Sequence, residues 1–448
     1  MRFRSLVSAG LLAAFAAGCS TDDILEVDPK TIVPAETAIS DAQSARAALL
    51  GLYDALQSDS YYGEQFLTFG DLSADNTQHT GTYTEYADAD ANRLNSANSA
   101  VEGMWAAIYS SIARANVIIE RIPEVNFLEQ AEKDQQVATA LFVRALGYHN
   151  LVKYYGGVPL RTEPVSTPSQ VSELTRATPA QVYAQVLADL QQAQSLVKVQ
   201  RAGLQVSLGA IRALRARVYL YQQNWTGAET EANAVLAMGY ALASSYPSLF
   251  DEVGAPTSED IFRVKFSSQD AGSLSYYYMD KSLGGRREVG PTSNLRNSFE
   301  TGDARAAWSI RNATATRFYG AKFRSVTGTE HTHVIRLGEI LLIKAEAQAR
   351  LGRLAEAIAT INPLRRRAGL AELTFGATNL TTQQQVLDAI WRERRAELVF
   401  EGDRWPDLVR TGQVVTVMSL AGREYQALYP IPQGERDVTR GLDQNPGY

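Results

Sequence analysis

The sequence is poor in the residues that staple or catalyse: it has one cysteine, four histidines and five methionines in 448 residues. A single cysteine excludes an internal disulfide and any zinc site built from several thiolates. Beyond the N-terminus there is no uninterrupted apolar run approaching the ~18–20 residues that a membrane-spanning helix requires. Positive charge is also short. Lys plus Arg is 43 against 49 Asp plus Glu, a formal charge of −6, so no basic field exists to hold a polyanion and nucleic acid is excluded as a partner. Catalytic signatures are missing too: there is no Gly-x-Ser-x-Gly elbow and no His-Glu-x-x-His helix. The glycine-containing run Ser282-Leu283-Gly284-Gly285-Arg286-Arg287 lacks the Lys-Ser/Thr ending of a phosphate loop. What remains is ordinary globular composition, 45% hydrophobic and 21% charged, in a chain long enough to bury a large core.

The lone cysteine is informative by its place. Arg2 and Arg4 precede an apolar run from Leu6 to Ala17, which ends Ala16-Ala17-Gly18-Cys19. This pattern reads as a lipoprotein signal peptide over 1–18, with Cys19 as the lipid anchor of the processed chain. Ala16 stands where leucine is usual in that cleavage motif. Removal of Arg2 and Arg4 takes the charge from −6 to −8. Residues 19–39 then form an acidic, polar tether and N-terminal segment, and 40–448 a single domain.

Helical periodicity dominates that domain. Apolar residues at three- and four-residue spacing predict helices over 40–56, 104–122, 135–155, 179–196, 208–222, 226–238, 334–350, 354–367 and 382–401. Thr178-Pro179 reads as an N-cap followed by proline at the first helical position. Two hairpins are internally alike. Ala216, Tyr219, Trp225 and Ala228 match the tetratricopeptide pattern once, and Leu341, Ala345, Gly352, Leu354 and Ala357 match it again. The pairs 104–155 and 179–222 have the length of further units. The expected fold is mainly α: about four tetratricopeptide-like hairpins, a few short strands, and loop-rich insertions near 70–98 and 244–332. Insertions this long are functional or disordered as a rule. Their composition is not low-complexity, so they read as ordered excursions over one face of the scaffold.

Three sets of residues could carry chemistry. Glu393 and Glu397 lie four apart on one helix face, and paired carboxylates are the acid and base of glycoside hydrolysis. Arg392, Arg394 and Arg395 beside them would hold carboxylates ionised, which predicts a structural ion-pair cluster and no catalytic residues. His331 and His333 lack a third ligand for a metal, so they read as an exposed loop, and no metal or cofactor is expected. The tyrosines of the two insertions are the better candidates: Tyr83 and Tyr86 in the first, Tyr276, Tyr277, Tyr278 and Tyr319 in the second. A tyrosine ring with its hydroxyl suits stacking of a sugar or burial of a peptide, and equally suits packing of a loop.

Several motifs in order carry a resemblance over essentially the whole chain. They are Arg144-Ala145-Leu146-Gly147-Tyr148, Tyr155-Gly156-Gly157-Val158-Pro159-Leu160, Arg336-Leu337-Gly338-Glu339, Glu393-Arg394-Arg395-Ala396-Glu397-Leu398, Phe400-Glu401-Gly402-Asp403-Arg404-Trp405-Pro406, Tyr429-Pro430-Ile431-Pro432 and the terminal Asp443-Gln444-Asn445-Pro446-Gly447-Tyr448. The chain resembles the SusD/RagB family of outer-membrane nutrient-uptake lipoproteins. Gly157 departs from an aspartate frequent in the family. The resemblance implies a lipid-anchored, non-enzymatic protein facing the cell exterior. Such a protein binds a nutrient oligomer and delivers it to a SusC-like TonB-dependent outer-membrane barrel. The ligand it implies is an oligosaccharide, with a peptide or glycopeptide as the alternative. The motifs themselves imply structure: Arg394, Glu397, Glu401 and Arg404 are expected to lock the C-terminal tail onto the last helices.

Overall fold

A computed structural model of the chain describes residues 38–165, 167, 170, 173–250, 256–377 and 379–448. The expected signal peptide, Cys19 and nearly all of the tether lie outside the described residues. The scaffold helices are, in chain order, α1 (Ala42–Gln57), α2 (Ser99–Arg121), α3 (Gln130–Tyr155), α4 (Pro179–Leu196), α5 (Leu208–Tyr221), α6 (Trp225–Leu236), α7 (Leu337–Arg350), α8 (Leu354–Arg367) and α9 (Gln383–Glu397). Capping boxes start three of them. Asp41 with Ser44, Thr178 with Gln181, and Thr382 with Gln385 exchange the side-chain bonds that satisfy the first backbone N–H groups.

Four antiparallel pairs stack among the described residues: α1 on α2, α3 on α4, α5 on α6 and α7 on α8. The expected pairing of 104–122 with 135–155 is present as α2 against α3, while 179–196 and 208–222, α4 and α5, touch less than α4 touches α3. Arg144 of α3 pairs with Asp189 of α4 at 2.7 Å, both side chains buried, while Gln135 accepts from the Lys198 N–H at 2.8 Å one end further along. The long connection after α3 closes with an antiparallel bridge, Val158 to Ala177. In this way α4 folds back on α3 before α5 begins.

The spine is α3, buried continuously from Gln136 to Tyr155. A helix enclosed on all sides has no polar face to show, and its polar residues Arg144, His149, Asn150 and Lys153 go inside with it. Its close approach to α2 depends on Gly147, where a Cβ would meet Ile112 at 2.9 Å.

Among the described residues six short strands make three two-stranded sheets: β1 (Thr77–His79), β2 (Asp260–Val264), β3 (Val289–Pro291), β4 (Ile310–Asn312), β5 (Phe318–Gly320) and β6 (Thr332–Arg336). β1 pairs antiparallel with β3, Thr77 opposite Pro291 and His79 opposite Val289. Two insertions about 200 residues apart are thereby joined edge to edge. The pairing of β2 with β6 corrects two expectations. Residues 334–336 are strand, with α7 starting only at Leu337, and His333 is buried instead of exposed. Its ring contacts Asp260 at 2.8 Å, while the His331 ring accepts from the Phe266 N–H at 3.2 Å. No helix among the described residues is long and apolar enough to cross a membrane.

Candidate ligand-binding site

The β1–β3 junction brings tyrosines of both insertions together. Tyr86 and Tyr277 stack with ring centres 5.7 Å apart and planes 21° apart. Tyr83 lies 5.8 Å from Tyr86 and 6.2 Å from Tyr277, and Tyr276 meets Tyr277 edge-on at 5.9 Å. Exposure divides these rings. Tyr276 is 39% exposed and Tyr83 and Tyr277 are half-buried, while Tyr86 is enclosed beneath them. Tyr86 is fixed there by donating its hydroxyl to Glu64 at 2.5 Å. Burial pushes the Glu64 carboxyl up to about 8.

Glu288 fastens the rim. Its buried carboxylate accepts from the Tyr83 N–H at 2.6 Å, the Thr82 N–H at 2.7 Å and Arg286 Nε at 2.7 Å, with His79 at 3.1 Å. Burial works to raise this carboxyl, but the Tyr83 amide, Arg286 and the other donors outweigh it and hold the group below its ordinary value. Arg286 lies over the Tyr83 ring at 3.8 Å and reaches the Thr82 hydroxyl at 3.1 Å. The result is a shallow surface of ring faces with a guanidinium and a hydroxyl at its margin. Such a surface can cover an apolar ring face and exchange hydrogen bonds with hydroxyls around it.

Of the six tyrosines singled out from the sequence, four converge here. The other two do not. Tyr278 is buried 4.9 Å from Phe400, and Tyr319 is buried on β5. Together with Tyr86 they are removed from any surface a ligand could touch, leaving Tyr83, Tyr276 and Tyr277.

The sequence profile described as "SusD family" matches residues 277–416, and the one described as "Starch-binding associating with outer membrane" matches 23–220. SusD-like protein P38 of Formosa agariphila is 27% identical, over 93% of this chain and 92% of that protein. Starch-binding protein SusD of Bacteroides thetaiotaomicron is 32% identical over a shorter stretch, 26% of this chain and 21% of that one. A crystal structure of a SusD superfamily protein from Bacteroides vulgatus superposes with a TM-score of 0.82 at 22% identity, covering 91% of this chain and 99% of that one. A laminarin-binding SusD-like protein does so at 0.79 and 26%, covering 92% and 100%. The chain belongs to the SusD/RagB family. Proteins of SusD type bind carbohydrate at the outer membrane and catalyse no reaction.

In this SusD-family chain Glu393 and Glu397 are accordingly structural. Glu393 accepts from Arg305 at 2.6 Å and Arg365 at 3.1 Å. Glu397 accepts from Arg336 at 2.5 Å, from Arg305 at 3.1 Å and from Arg367. Burial alone would raise Glu397; Arg367, Arg336 and Arg305 overcome it and hold the carboxyl well below its usual range. Glu401, against Arg336 and Lys322, is brought down to about 2. Arg305 and Lys322 come from the second insertion, so this network fastens the insertion to α7–α9. That corrects the expected tail lock. Arg404 bonds Asp75 at 2.7 Å and Arg394 bonds Asp407 at 2.7 Å. The tail is held instead at the end of α3: the Tyr429 N–H donates to the Tyr154 carbonyl at 2.7 Å, and Asn445 donates to the Tyr155 carbonyl at 3.0 Å. Among the described residues no group of three His, Cys, Asp or Glu side chains is placed to hold a metal.

Nothing local in the sequence marks Glu288 or Thr82, and His79 stands there as a single histidine. Arg286 and Arg287 are legible only as the end of the run Ser282–Arg287, which lacks a phosphate-loop ending. Arg286, Arg287 and Glu288 precede β3 in irregular backbone with Arg287 at φ 51°, so no strand alternation in the sequence announces that Arg286 and Glu288 meet.

Proposed function

We propose that this protein captures an oligosaccharide on the surface formed by Tyr83, Tyr276 and Tyr277, with Arg286 and Thr82 supplying hydrogen bonds. The captured ligand passes to a SusC-like TonB-dependent barrel, and the protein is held by a lipid on Cys19 and faces the cell exterior. The observation that carries the ligand reading is the cross-insertion tyrosine cluster, clamped by Glu288, on a SusD-type scaffold. Partly exposed rings held rigidly cost little entropy on binding, so each sugar adds modest affinity and several together suffice. The named relatives supply first ligands to try: laminarin for one, starch for another. Calorimetry with neutral glucan oligomers should show binding that Tyr83→Ala and Tyr277→Ala weaken. Saturable binding by peptides and none by any glycan would replace the reading with the peptide one. Co-purification of a barrel from the native membrane, lost on Cys19→Ala, tests anchoring and delivery separately.

A further inference from the structure

A second concave feature lies at the other end of β1. Between α9 and the helix Arg404–Arg410 is a cleft of ≈ 320 Å³, lined among others by Trp391, Arg392, Arg395, Arg404 and Asp388. That volume is at the lower end of small-ligand sites, room for about one ring unit.

The arginines are under-paired. Asp75 alone serves two of them, accepting from Arg404 at 2.7 and 3.1 Å and from Arg395 at 3.1 Å. Arg395 spends its other bonds on neutral oxygens, those of Asn76 at 2.8 Å and Asn294 at 2.8 Å. Arg392 is exposed and lies close enough to Glu300 to help lower its carboxyl, with no hydrogen bond between the two among the described residues. The nearby Glu300 is taken by Arg365 at 2.6 and 2.9 Å, and Asp388 accepts from Gln384 at 2.8 Å. Burial, and then Arg404 beside it, pull the Arg395 guanidinium down to about 10, against the opposing pull of Asp75 and Asp71. Three guanidiniums therefore face Asp75 and Asp388, a local positive excess in a chain of net charge −6. Trp391 stands at the wall half-buried, its indole N–H buried without a partner.

We propose that this cleft is a second ligand subsite that takes an acidic sugar unit, one bearing a carboxylate or a sulfate ester. The ring lies along Trp391 and its anionic group meets Arg392 and the unspent donors of Arg395 and Arg404. Arginine's planar fork matches carboxylate and sulfate oxygens in pairs, which a neutral sugar cannot exploit. The subsite rests on the carbohydrate reading above and narrows it to glycans with acidic units. Asp75 and Asn76 lead directly into β1, and loop 80–83 of the tyrosine surface leaves its other end. One short strand thus separates the two sites.

The test uses ¹⁵N spectra and calorimetry on the purified protein, with a trigalacturonate, a sulfated trisaccharide, a neutral glucan trimer and inorganic sulfate as probes. The Trp391 indole resonance, identified by its loss in Trp391→Phe, should shift with an acidic trimer and not with the neutral one. Affinity should fall roughly tenfold in Arg392→Gln, whose exposed side chain makes no bond the fold needs. The Trp391 shift should persist in Tyr83→Ala. Binding of the neutral trimer with no response to either acidic trimer overturns the subsite and leaves the carbohydrate reading standing. Acidic binding unchanged in Arg392→Gln overturns it as well. So does inorganic sulfate shifting Trp391 as strongly as the trimers. Failure of every glycan overturns both.

Discussion

Glu397→Gln is the sharpest test of the buried ion network. The carboxylate is wholly enclosed and receives three guanidiniums, those of Arg305, Arg336 and Arg367. Glutamine has nearly the same shape but must turn an NH₂ toward at least one of them, setting donor against donor and leaving buried positive charge uncompensated. Breaking a buried pair in this way costs about 3–5 kcal/mol. Glu259, Glu393 and Glu401 still face the same arginines, which keeps the cost near the middle of that range. At about 0.9 kcal/mol per degree for a chain this long, the expected fall in Tm is about 4–5 °C by calorimetry. The effect has a pH signature. The folded carboxyl titrates well below its ordinary value of 4.5, so its contribution is complete above that value and is lost as pH falls through the lower folded one. The gap between wild type and variant should therefore be constant from pH 6 to 8 and should narrow below about pH 4. Glycan binding at 20 °C should be unchanged. A Tm within about 1 °C of wild type would refute the argument, as would a variant of normal Tm that no longer binds.

The aromatic surface predicts graded losses. Tyr277→Ala should weaken glucan binding more than Tyr276→Ala, because Tyr277 touches both Tyr86 and Tyr276, and isothermal titration would reverse the ranking if the outer ring dominates. Glu64, raised to about 8 by burial, stays protonated in the fold over a range where the unfolded chain is ionised. Its effect is therefore to reduce stability as pH rises from about 4.5 toward 8. Glu64→Gln should flatten that slope relative to wild type in a Tm series, and parallel curves would count against it. Gly147→Val places a branched side chain where even a Cβ meets Ile112 at 2.9 Å, so it should cost several degrees in thermal scans or prevent folding. A variant as stable as wild type would show that α2 and α3 can separate.

The helical elements were legible because each carries its own period and its own stop. Thr178-Pro179 began α4 as read, and Gly156 ended α3 in the left-handed conformation that glycine adopts without strain. The family motifs were legible for a related reason: Glu393, Glu397, Glu401 and Arg404 sit at fixed spacings that follow from the charges they must meet. Their partners were not legible. Arg305 and Lys322 lie far along the chain in a segment without periodicity, and nothing local marks them as the other half of the network. The same holds for the six tyrosines. Composition singled them out as a group, yet burial of Tyr86, Tyr278 and Tyr319 beside exposure of Tyr276 depends on which face each short element turns inward.

Local periodicity and caps thus determined, from the sequence alone, a mainly helical repeat scaffold without disulfides, and its motifs carried the resemblance to the SusD/RagB family. Only the tertiary structure decided that α4 returns to α3, that β1 meets β3 across about 200 residues, and which tyrosines reach the surface. The reason is physical. Helical period is written within a few turns of chain, whereas strand pairing and ion pairing between insertions are set by contacts whose partners are distant in sequence and adjacent only after the helices have packed.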